Sequence, residues 1–508
     1  MATSDRAFFG HPRGLSTLFF TEMWERFSYY GMRGFLILYM TAGVQVGGLG
    51  LTAATAAPIY GTYTAMVYLM SLPGGWIADR LLGQRRAVLI GGVLIACGHY
   101  SLAIPAAVTF YVGLALVVLG TGLLKPNISV MVGQLYEKDD HRRDAAFSIF
   151  YMGINLGAFF GPLITGYLAQ DEGFRGWLTG HGLDPSSAWH WGFGAAGVGM
   201  TLGLLQYVIG GKALGSAGLR PATIAGASPD ENARFRRRST MWIAGGLALL
   251  TWFGIATATG FIPITASQIN TSAGYLQVLI TVPFFAWLLL DRSWTREERR
   301  RLYVIVVFFL AAAIFWSVFE QAGSTLNLFA DRSTRNEVLG YAFPSSWFQS
   351  LNPLFIFALA PVFAWMWIKL GDRQPSTSIK FSLGLLGVGI GLLILVPAAQ
   401  SASTPAKVSV GWLTTTYLIH TSAELCLSPV GLSAMTKLAP VRIVSLMMGV
   451  WFLGASVGNY IGGNLAGFYE TWPLPSLFTA VGLFGIAAGV IMLAISGPIK
   501  RMMEETRS

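Results

Sequence analysis

The chain of 508 residues is 54% hydrophobic and only 11% charged, with 61 Gly, 33 Phe and 16 Trp, whereas soluble domains carry about 25% charged residues. That deficit excludes an ordinary soluble enzyme, and the two cysteines, Cys97 and Cys426, both inside apolar runs, can build neither a disulfide framework nor a zinc cluster. A formal charge of +10 would suit nucleic acid if the basic residues shared a polar domain, but they fall in short loops between apolar stretches, the pattern of a membrane protein.

A membrane-crossing helix needs roughly 20 mainly apolar residues. Fourteen such runs follow one another, near 15–43, 52–78, 86–104, 106–134, 143–168, 190–211, 239–260, 270–290, 301–330, 347–368, 381–400, 408–435, 442–467 and 474–499. They are long and continuously apolar, unlike the short alternating segments of a membrane β-barrel, so an all-α membrane protein is predicted. The residues ahead of the first run carry Asp5, Arg6, His11 and Arg13 without a separate apolar core and small-residue cleavage site, so the first span is expected to be retained.

Basic residues set the orientation. Of the 34 Lys and Arg, 27 fall on the side shared by both termini, four on the other (Arg175, Arg332, Arg335 and Lys407), and three within spans (Arg26, Arg33 and Lys125). Both termini are predicted to be cytoplasmic. The expected divisions are a tail over 1–14, a six-helix bundle over 15–211, a basic cytoplasmic loop over 212–238, an inserted helical hairpin and linker over 239–300, a second six-helix bundle over 301–499 and a tail over 500–508.

The two bundles echo each other. Residues 150–168 align without gaps on 451–469, so that Gly153, Gly157, Gly161 and Gly166 meet Gly454, Gly458, Gly462 and Gly467. The loop Gly75-Trp-Ile-Ala-Asp79-Arg80-Leu-Leu-Gly83-Gln-Arg85 is answered by Gly371-Asp372-Arg373. Glycines four apart let helices approach closely, and paired repeats imply two halves meeting at a midplane cavity.

Ionisable residues at membrane depth cost several kcal/mol and mark function. Seven occur: Glu22, Glu25, Arg26, Arg33, Lys125, Glu320 and Glu424. In the first run, Glu22, Glu25, Arg26, Tyr29, Tyr30 and Arg33 fall on one helical stripe. Glu22 with Arg26 reads equally as a structural ion pair, whereas Arg33 has no acid one turn to either side. Lys125 precedes Pro126, which frees a backbone carbonyl and kinks a helix. The three positive charges lie in the first half and Glu320 and Glu424 in the second, a split that suits a zwitterion with its carboxylate toward Arg26, Arg33 and Lys125 and its ammonium toward Glu424. Tyr29, Tyr30, Tyr68, Trp316 and Trp451 are candidates to line the space between.

Other signals are weaker. Gly454-Ala-Ser456-Val-Gly458 matches a serine hydrolase elbow, but that motif needs a strand-to-helix turn, and packing is the better reading. No phosphate-binding Gly-x-x-x-x-Gly-Lys-Ser/Thr and no zinc His-Glu-x-x-His occurs, which removes the main support for an ATP-driven pump or a membrane protease. His99 reads as a packing residue, while His420, one turn before Glu424, reads either as packing or as a group that perturbs that acid. The basic run Arg234 to Arg238 reads as a solvated loop or lipid contact.

These residues resemble the proton-dependent oligopeptide transporter family, a branch of the major facilitator superfamily. Glu22-x-x-Glu25-Arg26-Phe27-x-Tyr29-Tyr30-Gly31 is similar to its first-span signature, Ala78-Asp79-Arg80-Leu-Leu-Gly83-Gln-Arg85 to the superfamily's cytoplasmic loop motif, and Phe150-Tyr151-x-x-Ile154-Asn155-x-Gly157 to the fifth-span signature. Phe315-Trp316 through Phe319-Glu320-Gln321-x-Gly323-Ser324-Thr325-Leu326, Asn352-Pro353, and Glu424-Leu425-x-x-Ser428-Pro429-x-Gly431-Leu432-Ser433 continue the match over nearly the whole length. Fourteen spans with a central hairpin resemble the bacterial members.

The resemblance implies uptake of di- and tripeptides with protons, by alternating access, through an integral protein of the bacterial inner membrane. It implies roles for Arg26 and Lys125 at the peptide carboxylate and in proton coupling, for Asn155 and Asn352 at the peptide backbone, for Glu424 at the amino terminus, for Glu22, Glu25 and Glu320 in protonation and gating, and for Asp79 and Arg80 in the loop motif. Arg33, Tyr30, Tyr68, Trp316, Ser428 and Trp451 complete the candidate substrate residues. Two departures stand out: Ala423 where glycine is usual, and no histidine in the second span, which shifts proton duty to the carboxylates. No cofactor, metal or nucleic acid is implied, and the monomer in lipid is the expected working unit. A same-fold symporter for nitrate or a carboxylated metabolite, a peptide sensor and a membrane enzyme remain the alternatives; Glu424 argues against an anionic ligand, and neither a signalling domain nor a recognisable nucleophile with its base is found.

Overall fold

The computed structural model describes residues 7–137, 139–219, 228–258, 261, 264–402 and 406–504. Over these, each predicted run is helical. α1 spans Arg13–Thr41, α2 Ala53–Leu69, α3 Gln84–Leu102, α4 Ala107–Gln134, α5 Arg142–Gln170, α6 Ala188–Ile209, α7 Pro229–Ala258, α8 Ala266–Leu290, α9 Arg296–Phe319, α10 Leu351–Leu370, α11 Thr377–Leu393, α12 Val410–Leu438, α13 Met447–Ala466 and α14 Leu474–Ala494. Nine helices among the described residues are long and apolar enough to cross a membrane, and helices satisfy their own backbone groups in lipid. The one sheet among the described residues is a hairpin pairing β1 (Glu337–Val338) with β2 (Tyr341–Ala342). Its two turn residues, Leu339 and Gly340, both have positive φ, 52° and 82°, the turn geometry that matches strand twist.

Several helix ends differ from the predicted runs for local reasons. The second run is split, since α2 stops at Leu69 and the chain resumes as a short helix Ser71–Ile77 and a π turn Ala78–Leu82. The ninth run breaks after Phe319 into a 3-10 turn Glu320–Gly323, followed by a helix Thr325–Ser333. Helix α7 begins at Pro229, inside the stretch read as a basic loop. A capping box starts it, with Glu231 N donating to Ser228 Oγ at 3.2 Å and Ser228 N to Glu231 Oε2 at 2.7 Å, so Arg234 to Arg238 are helical.

The described residues pack as two compact units. One is built from the chain up to Tyr29, Leu69–Gly157 and Phe193–Ile269, the other from Tyr30–Tyr68, Ala158–Gly192 and the chain from Asn270 onward. The boundaries cut α1 after Tyr29 and α5 after Gly157, so the far ends of both helices, with nearly all of α2, pack with the second half of the sequence.

In the first unit, Leu15, Leu18, Val88, Ile95, Leu124, Ile128, Met131, Phe150 and Met200 form a buried cluster. Helices α3 and α4 cross on glycines: a Cβ at Gly91 would stand 2.6 Å from Gly120 O, and one at Gly98 2.8 Å from Gly113 O. The repeated glycines have the same task in both units. Gly153 faces the Phe19 ring and Gly157 the Met23 and Phe27 backbone of α1, while on α13 Gly454 faces the Phe309 ring and Gly458 the Ala313 and Ser317 backbone of α9. Without a hydrophobic driving force between helices in lipid, such small-residue contacts supply van der Waals attraction at close range. Ser456 Oγ donates to Ala65 O of α2 at 2.8 Å, so the serine of the elbow-like string is an interhelical packing group.

Candidate substrate and proton sites

In the first unit the α1 stripe makes a compact ion cluster. Spacing of four residues brings Glu22 and Arg26 onto one face; Arg26 Nε donates to Glu22 Oε1 at 2.7 Å and forms an ion pair with Glu25 Oε2 at 2.9 Å that lacks hydrogen-bond geometry. None of the three side chains is more than 4% exposed. Glu22 Oε2 and both carboxyl oxygens of Glu25 are buried with no hydrogen-bond partner among the described residues, and the Arg26 guanidinium carbon lies 5.9 Å from the Tyr29 ring centroid.

Lys125 adds a positive charge close enough to act on Glu25. It sits on α4 just before Pro126, which cannot bond to Gly122 O. Gly74 packs on that freed carbonyl so closely that any Cβ would collide with it, while Asn127 Nδ2 donates to Leu123 O at 2.6 Å. Asn155 is buried on α5, its Nδ2 donating to Tyr151 O at 3.0 Å. Two residues further on, Gly157 lets α5 close on α1 beside Arg26, whose Cβ would lie 2.9 Å from a Cβ at 157.

The second unit holds the rest of the stripe. Arg33 pairs with Glu320 and donates from Nε to Tyr60 OH at 2.6 Å, with its guanidinium carbon 5.7 Å from the Tyr30 ring centroid and 5.9 Å from that of Tyr60. Glu320 is available there because α9 breaks at its position. The break is locked by Gly323, where a Cβ would strike the Tyr60 hydroxyl, and by Asn327 Nδ2, which donates to Gly34 O of α1 at 2.7 Å. Beside it, Gln349 Nε2 donates to Ala322 O at 2.6 Å and to Tyr417 OH at 2.9 Å. Tyr60, Gln349 and Tyr417 were not singled out from the sequence; nothing but an uncommon polar atom in an apolar run marks them.

Glu424, half-buried on α12, accepts from Asn352 Nδ2 at 2.9 Å, and the same amide donates to Thr421 Oγ1 at 3.1 Å. Ser428 lies one turn further along α12. His420 points away from this acid: its Nε2 lies 3.0 Å from Val388 O of α11, against Gly391, where a Cβ would overlap the ring. Trp316 packs edge-on against Phe319, 5.5 Å between centroids, with its Nε1 buried and unpartnered among the described residues. Trp451 covers Gly431 of α12, and Tyr68 meets Phe452 at 6.4 Å.

The structure thus groups Glu22, Glu25, Arg26, Lys125 and Asn155 in the first unit. It groups Arg33, Tyr30 and Glu320, and separately Glu424 with Asn352, in the second. The Arg33 side chain, expected to face a substrate carboxylate, is here taken up by Glu320 and Tyr60.

Asp79 and Arg80 lie in the π turn after Ile77. Gln84 Nε2 donates to Asp79 Oδ1 at 2.7 Å, Gly83 takes a positive φ of 78°, and the turn is fastened to the segment after α6 by Arg85 N to Gly218 O at 2.9 Å.

A further ion pair lies beyond the end of α13. Glu470 accepts from Arg332 at 2.7 Å through Oε1 and from the first amide of α2, Ala53 N, at 2.8 Å through Oε2. Partial burial pushes its carboxyl up, but the hydrogen bonds from Arg332 and Ala53 and the Arg332 charge outweigh that and hold it below its ordinary 4.5.

A family model described as the POT family matches residues 85–480. The peptide transporter YePEPT of Yersinia enterocolitica is 40% identical, over 99% of this chain and 97% of its own. A di-/tripeptide transporter of Lactococcus lactis subsp. cremoris is also 40% identical, over 99% of both chains. A crystal structure of a peptide transporter POT in complex with sulfate superposes with a TM-score of 0.88 at 43% identity, covering 99% of this chain and 98% of that one. The all-helical membrane architecture and these end-to-end matches agree, and the chain belongs to the POT family of transporters.

Proposed function

We propose that this transporter imports di- and tripeptides together with protons, by alternating access. The observation that carries the proton half is the α1 cluster. Two buried carboxylates share one guanidinium nitrogen, and each keeps an oxygen without a partner among the described residues. Leaving a buried charged oxygen unbonded costs on the order of 1–3 kcal/mol or more, which a proton arriving on one carboxyl relieves. Lys125 supplies the charge that responds when that proton arrives or leaves. The peptide half rests on the names of relatives 40% identical over the full chain and on the residue chemistry: a peptide carboxylate suits Arg26 and Lys125, and a peptide ammonium suits Glu424, held ready by Asn352. The preponderance of basic residues on the side of both termini supports an orientation in which Glu470, Arg332 and the loop after α1 face outward.

The test is uptake of labelled dialanine into proteoliposomes under an inside-negative potential and an inward proton gradient, with and without a protonophore. A neutral zwitterion plus one proton carries one charge inward, so 100 mV contributes about 2.3 kcal/mol. Accumulation that the protonophore abolishes is expected; uptake indifferent to both potential and gradient refutes the coupling. Lys125→Ala is expected to lose gradient-driven uptake and keep counterflow, and an unchanged driven rate removes Lys125 from the mechanism.

A further inference from the structure

We propose that the inserted hairpin is a two-position clasp on the transport cycle, with Asn270 of α8 holding the conformation seen here and Gln277, two turns along the same face, holding the opposite one. The proposal rests on the alternating-access reading above.

Helix α8 shows the membrane mostly apolar side chains, among them Tyr275, Leu276, Val278, Leu279 and Val282. Its inward face is polar at defined points. Asn270 Oδ1 accepts from Thr62 Oγ1 of α2 at 2.8 Å, and Asn270 Nδ2 donates to Asn464 Oδ1 of α13 at 2.9 Å. Tyr460 OH of α13 donates to Asn270 O at 3.0 Å, with its ring end over Gly274. One amide therefore bonds at the same time to a helix of the first half and a helix of the second. These helices touch there through glycine backbones: the Cβ missing at Gly61 would run into Gly463 and the Asn459 carbonyl. The glycine contact itself offers no interlocking side chain, so the Asn270 bridge, together with the Ser456 Oγ to Ala65 O bond one turn further in and the Glu470 bond to Ala53 N at the helix end, opposes its parting.

Two turns further along the same face, Gln277 is 3% exposed, and neither its amide oxygen nor its nitrogen has a partner among the described residues; Thr281 Oγ1, four residues on, is likewise buried and unpartnered. A buried amide left unsatisfied in lipid is costly. When the two halves rock relative to each other, α2 and α13 part beside Asn270 and change what faces Gln277. A residue unsatisfied in one state and satisfied in the other favours the other. The hairpin therefore biases the equilibrium in both directions, which a passive scaffold does not.

The two substitutions should act with opposite sign. An interhelical side-chain hydrogen bond in a membrane shifts an equilibrium roughly threefold on average, so losing both Asn270 side-chain bonds shifts it about tenfold. The experiment uses the full chain in proteoliposomes with Cys97→Ala and Cys426→Ala, spin labels at Thr55→Cys on α2 and Thr471→Cys beyond α13, and distance distributions by double electron–electron resonance. Asn270→Leu is expected to raise the ratio of long to short distances about tenfold, and Gln277→Leu to lower it. Should Asn270→Leu fail to fold, Thr62→Val combined with Asn464→Leu strips the same two bonds from the other side and must reproduce the rise. Distributions unchanged within twofold, or shifts of both variants in one direction, overturn the clasp. Dialanine uptake by the labelled parent separates the two ideas: opposite shifts without uptake sink the peptide reading alone, and uptake without shifts sinks the clasp alone.

Discussion

Replacing Glu320 by glutamine isolates what the charge of the Arg33 pair does. Both side chains are less than 10% exposed, and the substitution leaves the guanidinium in place facing the Tyr60 hydroxyl and a neutral amide. Removing one partner of a buried pair costs about 3–5 kcal/mol; the amide oxygen still accepts a hydrogen bond, so the lower figure applies, a shift of roughly 150-fold in any equilibrium the pair biases. That equilibrium is the meeting of α1 with the turn after α9, because Arg33 belongs to one and Glu320 to the other. The assay is the rate at which an impermeant maleimide, added outside, labels a cysteine at Ser324→Cys, a position 1% exposed in that turn. Labelling should accelerate by about two orders of magnitude in Glu320→Gln. It should return to the parental rate when Arg33→Met and Glu320→Met are combined, since exchanging a whole buried pair for apolar side chains is neutral or stabilising. A parental rate in the single variant, or equally fast labelling in the double variant, refutes the idea that the pair closes this end.

Three further outcomes are expected. Glu424→Gln should raise KM for dipeptides roughly 10- to 100-fold, the worth of a hydrogen bond to a charged group, and leave uptake of an analogue lacking the amino terminus unchanged; equal losses for both ligands in a KM comparison contradict the assignment. Gly157→Val should lower thermal stability in detergent by several degrees, because the new side chain meets the Met23 carbonyl and Phe27 amide of α1 at the 1–3 kcal/mol typical of overpacking, and a Tm equal to the parent's would show that α5 is free to move back. Glu470 has a carboxyl held below 4.5, so its contribution to the closed end is complete above that pH and is lost as external pH falls through the lowered value; because maleimide reacts with the thiolate, the Ser324→Cys rate is divided by that of a free thiol at the same pH, and this ratio should rise with acid there, a rise that Glu470→Gln should remove.

What could be read in the sequence followed the range of each interaction. The Glu22–Arg26 pair is four residues apart on one helix and follows from spacing alone. The glycine repeat follows from comparing the halves, and its packing role holds in both. Arg33 looked unexplained because its acid is 287 residues away, and no periodicity reports a contact between separate helices. Tyr60, Gln349, Tyr417 and Asn270 were passed over for the same reason: uncharged polar residues in an apolar run carry no signal until their partners are placed. The start of α7 was different. Ser228-Pro-Asp-Glu231 is a legible capping box, and the charge run behind it, loop-like by composition, belongs to the helix the box starts. For His420 the one-turn spacing to Glu424 was real, but Gly391 opens a slot on α11 that takes the ring the other way.

The glycine contacts also say how this sequence is free to drift. Gly153 faces the Phe19 ring, 2.9 Å from where its Cβ would stand, which evolution can shrink to make room for a methyl group, whereas a Cβ at Gly454 would stand at an ordinary contact distance of 3.5 Å from the Phe309 ring. Gly157 and Gly458 each face main-chain atoms, Met23 O and Ala313 O, which every amino acid presents alike. Among homologues, positions 153 and 19 should therefore exchange volume as a pair and 454 should accept alanine beside an unchanged 309, whereas 157 and 458 should stay glycine whatever occupies α1 and α9.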